Sequence, residues 1–149
     1  MATYPGRMCA LDVGEKRIGV AMSDESQTVA RAYTTLPASP FPVFVQKLGT
    51  ILQAETVVEL VIGLPISLNG TEGPQAARIR AFIEALRAHV TLPITTCDER
   101  YTSAEAQRIM IEAGLRPEQR KAKIDEVAAS IILQDVLDAR RSRDGHLQG

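Results

Sequence analysis

The chain has 149 residues, and its composition and charge limit what it can be. Apolar residues make up 45% and charged residues 23% of it, a composition typical of one globular domain with a hydrophobic core. The formal net charge of −1 excludes a surface that is basic throughout, but it allows a local basic patch. No apolar run reaches the roughly 18 residues that span a bilayer, and the first residues lack the apolar core of a signal peptide. We therefore expect one cytoplasmic domain over residues 1–149.

The few cysteine and histidine residues argue against a zinc site. Cys9 and Cys97 lie in separate strand-like runs without the short spacing of a metal-binding knuckle. His89 and His146 have no partner at ligand spacing. We predict that both cysteines are buried free thiols in a reducing compartment.

The first 37 residues predict three antiparallel strands. Residues 8–13 and 17–23 are short apolar runs joined at Gly-Glu-Lys, a pattern typical of a hairpin. Residues 28–37 contain enough β-branched and aromatic residues for a third strand.

Helices and strands alternate in the next part of the chain. Apolar residues at helical spacing predict one helix after Pro42 and another around residues 79–86. Residues 56–65 are a nearly continuous apolar run, typical of a strand that a parallel sheet buries on both faces. Residues 92–99 are predicted to be the next strand.

Two further helices complete the prediction. Thr102 and Glu105 form a capping box for a helix that Gly114 ends. The last helix is expected over residues 122–141, with a flexible tail at 143–149. Strands linked through helices imply right-handed parallel crossovers. The predicted fold is therefore α/β, a mixed five-stranded sheet in which an antiparallel three-strand meander is followed by two parallel strands, with helices on both faces.

Four acidic residues stand where a site is expected. Asp12 ends the first strand, Asp98 and Glu99 end the last, and Asp125 begins the apolar stripe of the last helix. Ligands of open α/β sheets collect at the carboxyl ends of strands. Carboxylates that converge there suit one or two Mg²⁺ ions, and a pair of such ions can activate water and stabilise the leaving oxygen in phosphodiester hydrolysis, as in two-metal nucleases.

Purely structural roles for these acids are the alternative. Asp12 can pair with Lys16 or Arg17, and Asp98 or Glu99 with Arg100, as ion pairs that carry no function. Asp125 can simply complement the dipole of its helix.

Basic residues flank the acids in the sequence. They can neutralise phosphates beside a metal site, and a solvated basic loop is the alternative. The candidate nucleic-acid-binding residues are Lys16, Arg17, Arg100, Arg116, Arg120, Lys121 and Lys123.

Four segments together resemble the YqgF/RuvX family of small ribonuclease-H-fold proteins. They are ALDVGEKRIGVAMSD (10–24), VIGLPISLNGTEG (61–73), DERYTSAEA (98–106) and KIDEVAASIILQDVL (123–137). The resemblance implies a ribonuclease-H-like nuclease that resolves Holliday junctions or processes the 5′ end of pre-16S ribosomal RNA. It also implies Mg²⁺ or Mn²⁺ between Asp12, Asp125 and the Asp98–Glu99 pair. Consecutive strand residues point to opposite faces, so we expect only one of Asp98 and Glu99 to bind the metal.

Two other functions compete with the nuclease. The chain could be a catalytically silent nucleic-acid-binding module of ribosome assembly. It could also be an ATPase related to actin and Hsp70, since an Asp-x-Gly hairpin opens their nucleotide domains, but those proteins need two such domains. The expected partners are pre-rRNA or branched DNA and no membrane. The chain is a monomer or a homodimer, and a resolvase would need the symmetric dimer.

Overall fold

The computed structural model describes residues 4–66, 72–99 and 102–148, with side chains through Arg143. Five strands and four helices lie within these ranges. In chain order they are β1 (Arg7–Val13), β2 (Arg17–Ser23), β3 (Ala30–Pro37), α1 (Phe41–Ala54), β4 (Val57–Pro65), α2 (Pro74–Arg87), β5 (Ile94–Glu99), α3 (Thr102–Glu112) and α4 (Pro117–Gln148).

The strands form one mixed sheet in the order β3-β2-β1-β4-β5. β1, β2 and β3 are antiparallel neighbours, whereas β4 runs parallel to β1 and β5 runs parallel to β4. Gly14 closes the first hairpin, because its N–H donates to the Arg17 carbonyl at 2.9 Å. A Cβ atom at Gly14 would lie only 2.6 Å from that oxygen. The predicted fold class, a meander followed by two parallel strands, is confirmed.

Helices cover both faces of the sheet. α1 and α2 enclose the larger core, in which Leu11, Ile62 and Phe44 are buried. α4 covers the opposite face, where Ala10 and Ala21 are fully buried. Because these two side chains are small, they let α4 lie close to the strands.

α4 lies very close to the sheet at Gly19 of β2. A Cβ atom placed on Gly19 would lie 1.9 Å from the backbone oxygen of Asp125. No side chain fits in that space, and both partners are backbone, so neither can move aside alone. Gly19 therefore fixes the height and position of α4 over the sheet.

A second contact holds α4 at the other end of the sheet. The Arg140 guanidinium donates two hydrogen bonds to the Glu59 carboxylate, at 2.9 and 2.7 Å, and the Thr95 hydroxyl donates a third at 2.6 Å. The hydrogen bonding from Arg140 has the largest effect in lowering the pKa of Glu59, and the Thr95 hydroxyl also lowers it. A bidentate pair of this kind restrains both position and orientation. The helix is thus held at two separated points.

The sequence locates the strands within two residues of their observed ends, but it misplaces the last helix. Predicted over residues 122–141, this helix begins at Pro117 and its backbone is helical through Gln148. The missed first turn is polar but rich in good helix formers, and Pro117 suits a first helical position. The flexibility predicted for residues 143–149 stays a prediction.

Both cysteines, Cys9 and Cys97, are free thiols. Cys9 is buried as predicted, whereas Cys97 is only partly buried. Over the described ranges, no helix combines the length and the apolar character needed to cross a bilayer.

Substituting Gly19 with alanine tests the contact between α4 and β2. We expect Gly19→Ala to lower the free energy of unfolding by about 3 kcal/mol or more, the upper range for overpacking, because the new methyl group meets backbone. Gly49→Ala is the matched control, since Gly49 is an exposed glycine of α1 with nothing within 4 Å of its Cβ position. It should raise stability by roughly 0.5–1 kcal/mol. Urea unfolding measures both, and equal stabilities for the two variants would contradict the close contact.

Candidate active site

Asp12 is the centre of the candidate site. Along β1 the side chains of Met8 and Ala10 are buried under α4, and Asp12 continues this alternation on the same face. It lies at the carboxyl end of β1, directly opposite Gly19 in the pairing with β2. Its carboxylate is therefore held at the sheet edge, beside the place where α4 crosses.

α4 brings the second carboxylate to this place. Because the backbone oxygen of Asp125 packs against Gly19, and Gly19 faces Asp12 across the strand pair, Asp125 lies beside Asp12. The Asp125 side chain accepts a hydrogen bond at 2.9 Å from Nε of Arg17. The predicted apolar stripe of this helix is confirmed, since Ala128 and Ala129 are buried.

Glu99 is the third carboxylate, and it reaches the site across a second glycine. A Cβ atom on Gly63 of β4 would lie 2.9 Å from Oε2 of Glu99 and 2.9 Å from Cδ1 of Ile132. The Glu99 side chain thus extends over β4 towards Asp12, and the two carboxyl groups share a hydrogen bond. The buried Thr102 hydroxyl also hydrogen-bonds to Glu99. The residue predicted to cap α3 therefore also orients an acid of the site.

Asp98 points away from these three acids. In the parallel pairing of β4 and β5 it lies opposite Leu64, whose side chain belongs to the core under α1 and α2. The Asp98 side chain is exposed. The structure thus brings together Asp12, Glu99 and Asp125, and it places Asp98 on the other face.

The electrostatics of Asp12 and Glu99 reflect this crowding. Burial, together with the charges of Glu99 and Asp125 and the hydrogen bond to Glu99, raises the pKa of Asp12 to about 7. Burial also raises the pKa of Glu99, although the hydrogen bonds from Asp12 and Thr102 oppose the increase. Two close carboxyl groups cannot both ionise cheaply, so one proton is held between them.

The donor set fits a hard divalent cation. Three carboxylates converge, and a cation in place of the shared proton would remove the cost of ionising Asp12 and Glu99. With the side chains as they lie, no three acidic, histidine or cysteine side chains of the described residues are yet close enough together to hold one ion, so the three acids are neighbours rather than a finished metal site. The Asp125 carboxylate instead contacts Arg17.

The predicted phosphate-binding residues occupy two places. Lys16 and Arg17 are exposed in the first hairpin, on the edge where the acids meet. The other described bases lie at the start of α4 and just before it. There Lys121 and Lys123 are exposed, and Arg120 donates to the Leu115 carbonyl at 2.9 Å and to Gln107 at 3.2 Å. Arg116 is exposed in the turn before α4. Arg100 lies outside the described residues, as do residues 67–71 between β4 and α2.

Three residues that build the site were not predicted to belong to it. They are Gly19, Gly63 and Thr102. Glycine inside a strand is unfavourable unless another group comes close. That signal was present at Gly19 and Gly63, both of which lie in apolar runs. The partner of the Thr102 hydroxyl had no comparable signal, because it depends on the turn between β5 and α3.

The chain matches a family model over most of its length, and it is similar to named relatives. Residues 6–139 match the family model described as "RuvX: Holliday junction resolvase". A relative from Roseiflexus sp. (strain RS-1), named "Putative pre-16S rRNA nuclease", is 48% identical over 95% of this chain and 100% of its own. A relative of the same name from Chloroflexus aggregans is 46% identical over 89% of this chain and 93% of its own.

Two solved structures share the fold. Thermus thermophilus RuvC in complex with a Holliday junction substrate aligns with a TM-score of 0.56 and 13% identity, over 91% of this chain and 96% of that one. The Fowlpox virus resolvase in complex with Holliday junction DNA aligns with a TM-score of 0.51 and 12% identity, over 89% of this chain and 97% of that one. At this identity the likeness concerns the fold alone, which these two proteins share with this chain.

The raised pKa of Asp12 predicts how stability depends on pH without divalent cations. The folded chain holds a proton on Asp12 up to about pH 7, whereas the pKa of an unperturbed aspartate is 3.8. Between these values the folded state binds more protons than the unfolded state, so the free energy of unfolding falls as pH rises. Asp12→Asn removes this loss. At pH 8 we expect the free energy of unfolding of the variant to exceed that of the wild type by at least about 1.4 kcal/mol, the equivalent of one pKa unit.

Urea unfolding at pH 5 and pH 8 in a chelator measures this difference. Asp98→Asn is the control, because it removes an exposed acid from the same edge and should leave the pH dependence unchanged. A variant Asp12→Asn that is less stable than the wild type at pH 8 would instead indicate that Asp12 forms a stabilising ion pair.

Proposed function

This chain belongs to the RuvX family, and we propose that it is a divalent-metal-dependent nuclease that hydrolyses phosphodiester bonds in structured nucleic acid. The observation that carries this proposal is the meeting of Asp12, Glu99 and Asp125 on one face of the sheet edge, beside two glycines that make room for them. The acids come from three separate elements, and their mutual crowding lowers the stability of the chain unless a cation binds there.

The substrate we propose first is the 5′ end of pre-16S ribosomal RNA. It is supported by the names of relatives that are 46–48% identical. A four-way DNA junction is the second candidate, supported by the description of the family. On either substrate the chain would work in the cytoplasm, as a monomer on a single strand or as a two-fold dimer where two strands are cut.

In the proposed mechanism Asp12, Glu99 and Asp125 would hold Mg²⁺ or Mn²⁺. Such an ion supplies an activated water and stabilises the oxygen that leaves. Asp12 and Glu99 would have to lose their shared proton for such an ion to bind, and Thr102 keeps Glu99 directed at the site. Lys16, the bases at the start of α4 and Arg100 would neutralise the phosphates of the bound strand. Asp98, which faces the other side of the sheet, takes no part.

Cleavage assays on matched acid variants test this assignment. Purified protein is incubated with labelled pre-16S rRNA and with a four-way DNA junction, in Mg²⁺, Mn²⁺ or chelator. We expect cleavage with either metal and none in chelator. Glu99→Gln should lower the rate by more than the roughly 10–100-fold loss typical of residues that only support metal ligands. Asp98→Asn, its neighbour on the opposite face, should stay within a few-fold of the wild type.

Two results would contradict the proposal. If neither substrate is cut with either metal while both are still bound, the chain is a silent nucleic-acid-binding module. If Asp98→Asn is the inactive variant and Glu99→Gln is active, the assignment of the site to the α4 face is wrong.

A further inference from the structure

One of the three acids, Asp125, already forms an ion pair with an arginine side chain. Nε of Arg17 lies 2.9 Å from Oδ2 of Asp125, and the Asp125 side chain is only 23% exposed. The contact joins residues 108 positions apart, so the fold itself creates it. The sequence gives Arg17 a different role, as a phosphate contact. The structure therefore shows Arg17 bound to a residue that the proposed metal would also need.

The contact can break without any movement of the backbone. Arg17 and Gly19 are two residues apart on β2 and share a face, and the backbone of Asp125 is fixed against Gly19. The side chain of Arg17 is 51% exposed. Its ion pair uses Nε, and among the described residues no other carboxylate lies within 4.0 Å of its guanidinium. Both side chains can therefore rotate apart while α4 stays in place.

We propose that Arg17 is a phosphate-binding residue that is stored on Asp125 until a divalent cation takes that carboxylate. This inference rests on the proposed nuclease function. When the cation binds Asp125, the guanidinium is released at the edge where the nucleic acid must lie. Arginine suits this role because its planar fork recognises carboxylate and phosphate oxygens by the same geometry.

The exchange makes the cation and the nucleic acid bind cooperatively. The cation must displace Arg17 before it gains Asp125, and a phosphate must also draw Arg17 away from Asp125 if no cation is present. Once one ligand has broken the ion pair, the other no longer meets that cost. By linkage, each ligand must then raise the affinity of the other by the same factor. For a half-exposed ion pair this factor is about two- to fivefold.

The first experiment observes the Arg17 contact directly. The Nε–H resonance of Arg17, assigned by its loss in Arg17→Gln, is followed by NMR as Mg²⁺ is added to the full-length protein without nucleic acid. We expect slow exchange with water in chelator and faster exchange at saturating Mg²⁺. An Nε–H signal that is unchanged at saturation would overturn the inference, because Arg17 would then stay on Asp125.

The second experiment measures both affinities in Arg17→Gln and in a control variant. Arg87→Gln is the control, since Arg87 has the same exposed fraction, 51%, and also pairs with a carboxylate, Glu84, at the far end of α2. Calorimetry should show that Mg²⁺ binds Arg17→Gln about two- to fivefold more tightly than it binds the wild type, and that Arg87→Gln is unchanged. Thermal unfolding of both variants confirms that they are folded.

Fluorescence anisotropy then gives the affinity for a labelled four-way junction and for the pre-16S rRNA, in chelator and in Ca²⁺, with gels confirming intact strands. We expect Arg17→Gln to weaken binding about tenfold in Ca²⁺, as for the loss of one charged hydrogen bond, and by a smaller factor in chelator. Equal losses in both conditions would overturn the coupling. If instead the wild type binds no Mg²⁺, the metal-dependent nuclease itself is wrong, so the two failures can be told apart.

Discussion

The architecture of this protein depends on two places, one on each side of Asp12, where the sheet carries no side chain. At Gly19 the backbone of α4 rests directly on β2, and at Gly63 the carboxylate of Glu99 crosses β4. The first contact sets how far α4 stands from the sheet and thus where Asp125 lies. The second lets a residue of the edge strand β5 reach an acid two strands away. With a side chain at either glycine, Asp125 and Glu99 could not lie where they do beside Asp12.

The assembled acids have an energetic cost that the rest of the fold offsets. Asp12 and Glu99 are buried against each other, and they keep a proton because neither ionises easily beside the other. Asp125 is balanced by Arg17, whose guanidinium is half-exposed. The core between α4 and the sheet and the clamp of Arg140 on Glu59 hold α4 in place despite this repulsion. Sites that bind a charged ligand commonly lower the stability of the free protein in this way.

The sequence predicts those features that depend on local pattern. Alternation and apolar runs identify the five strands, and the ends of strands identify Asp12 and Glu99 as acids at one edge. The alternation also implies that Asp98 and Glu99 diverge, but it does not say which of them faces Asp12, because that depends on the register between β4 and β5. The pairing of Arg17 with Asp125 could not be predicted either, since it requires the approach of α4 to Gly19. The start of α4 was missed because its first turn has no apolar stripe to reveal it.

The order of the elements along the chain has a consequence for protein synthesis. α4 is the last element, and it supplies both the Asp125 carboxylate and the cover over Ala10, Ala21 and Val61. While a ribosome is still making the earlier segments, that face of the sheet is bare and the acidic cluster lacks one member. A growing chain therefore has an incomplete site, and the complete set of acids can form only when α4 has left the exit tunnel. The order of the elements therefore places completion of the acidic cluster after the synthesis of α4.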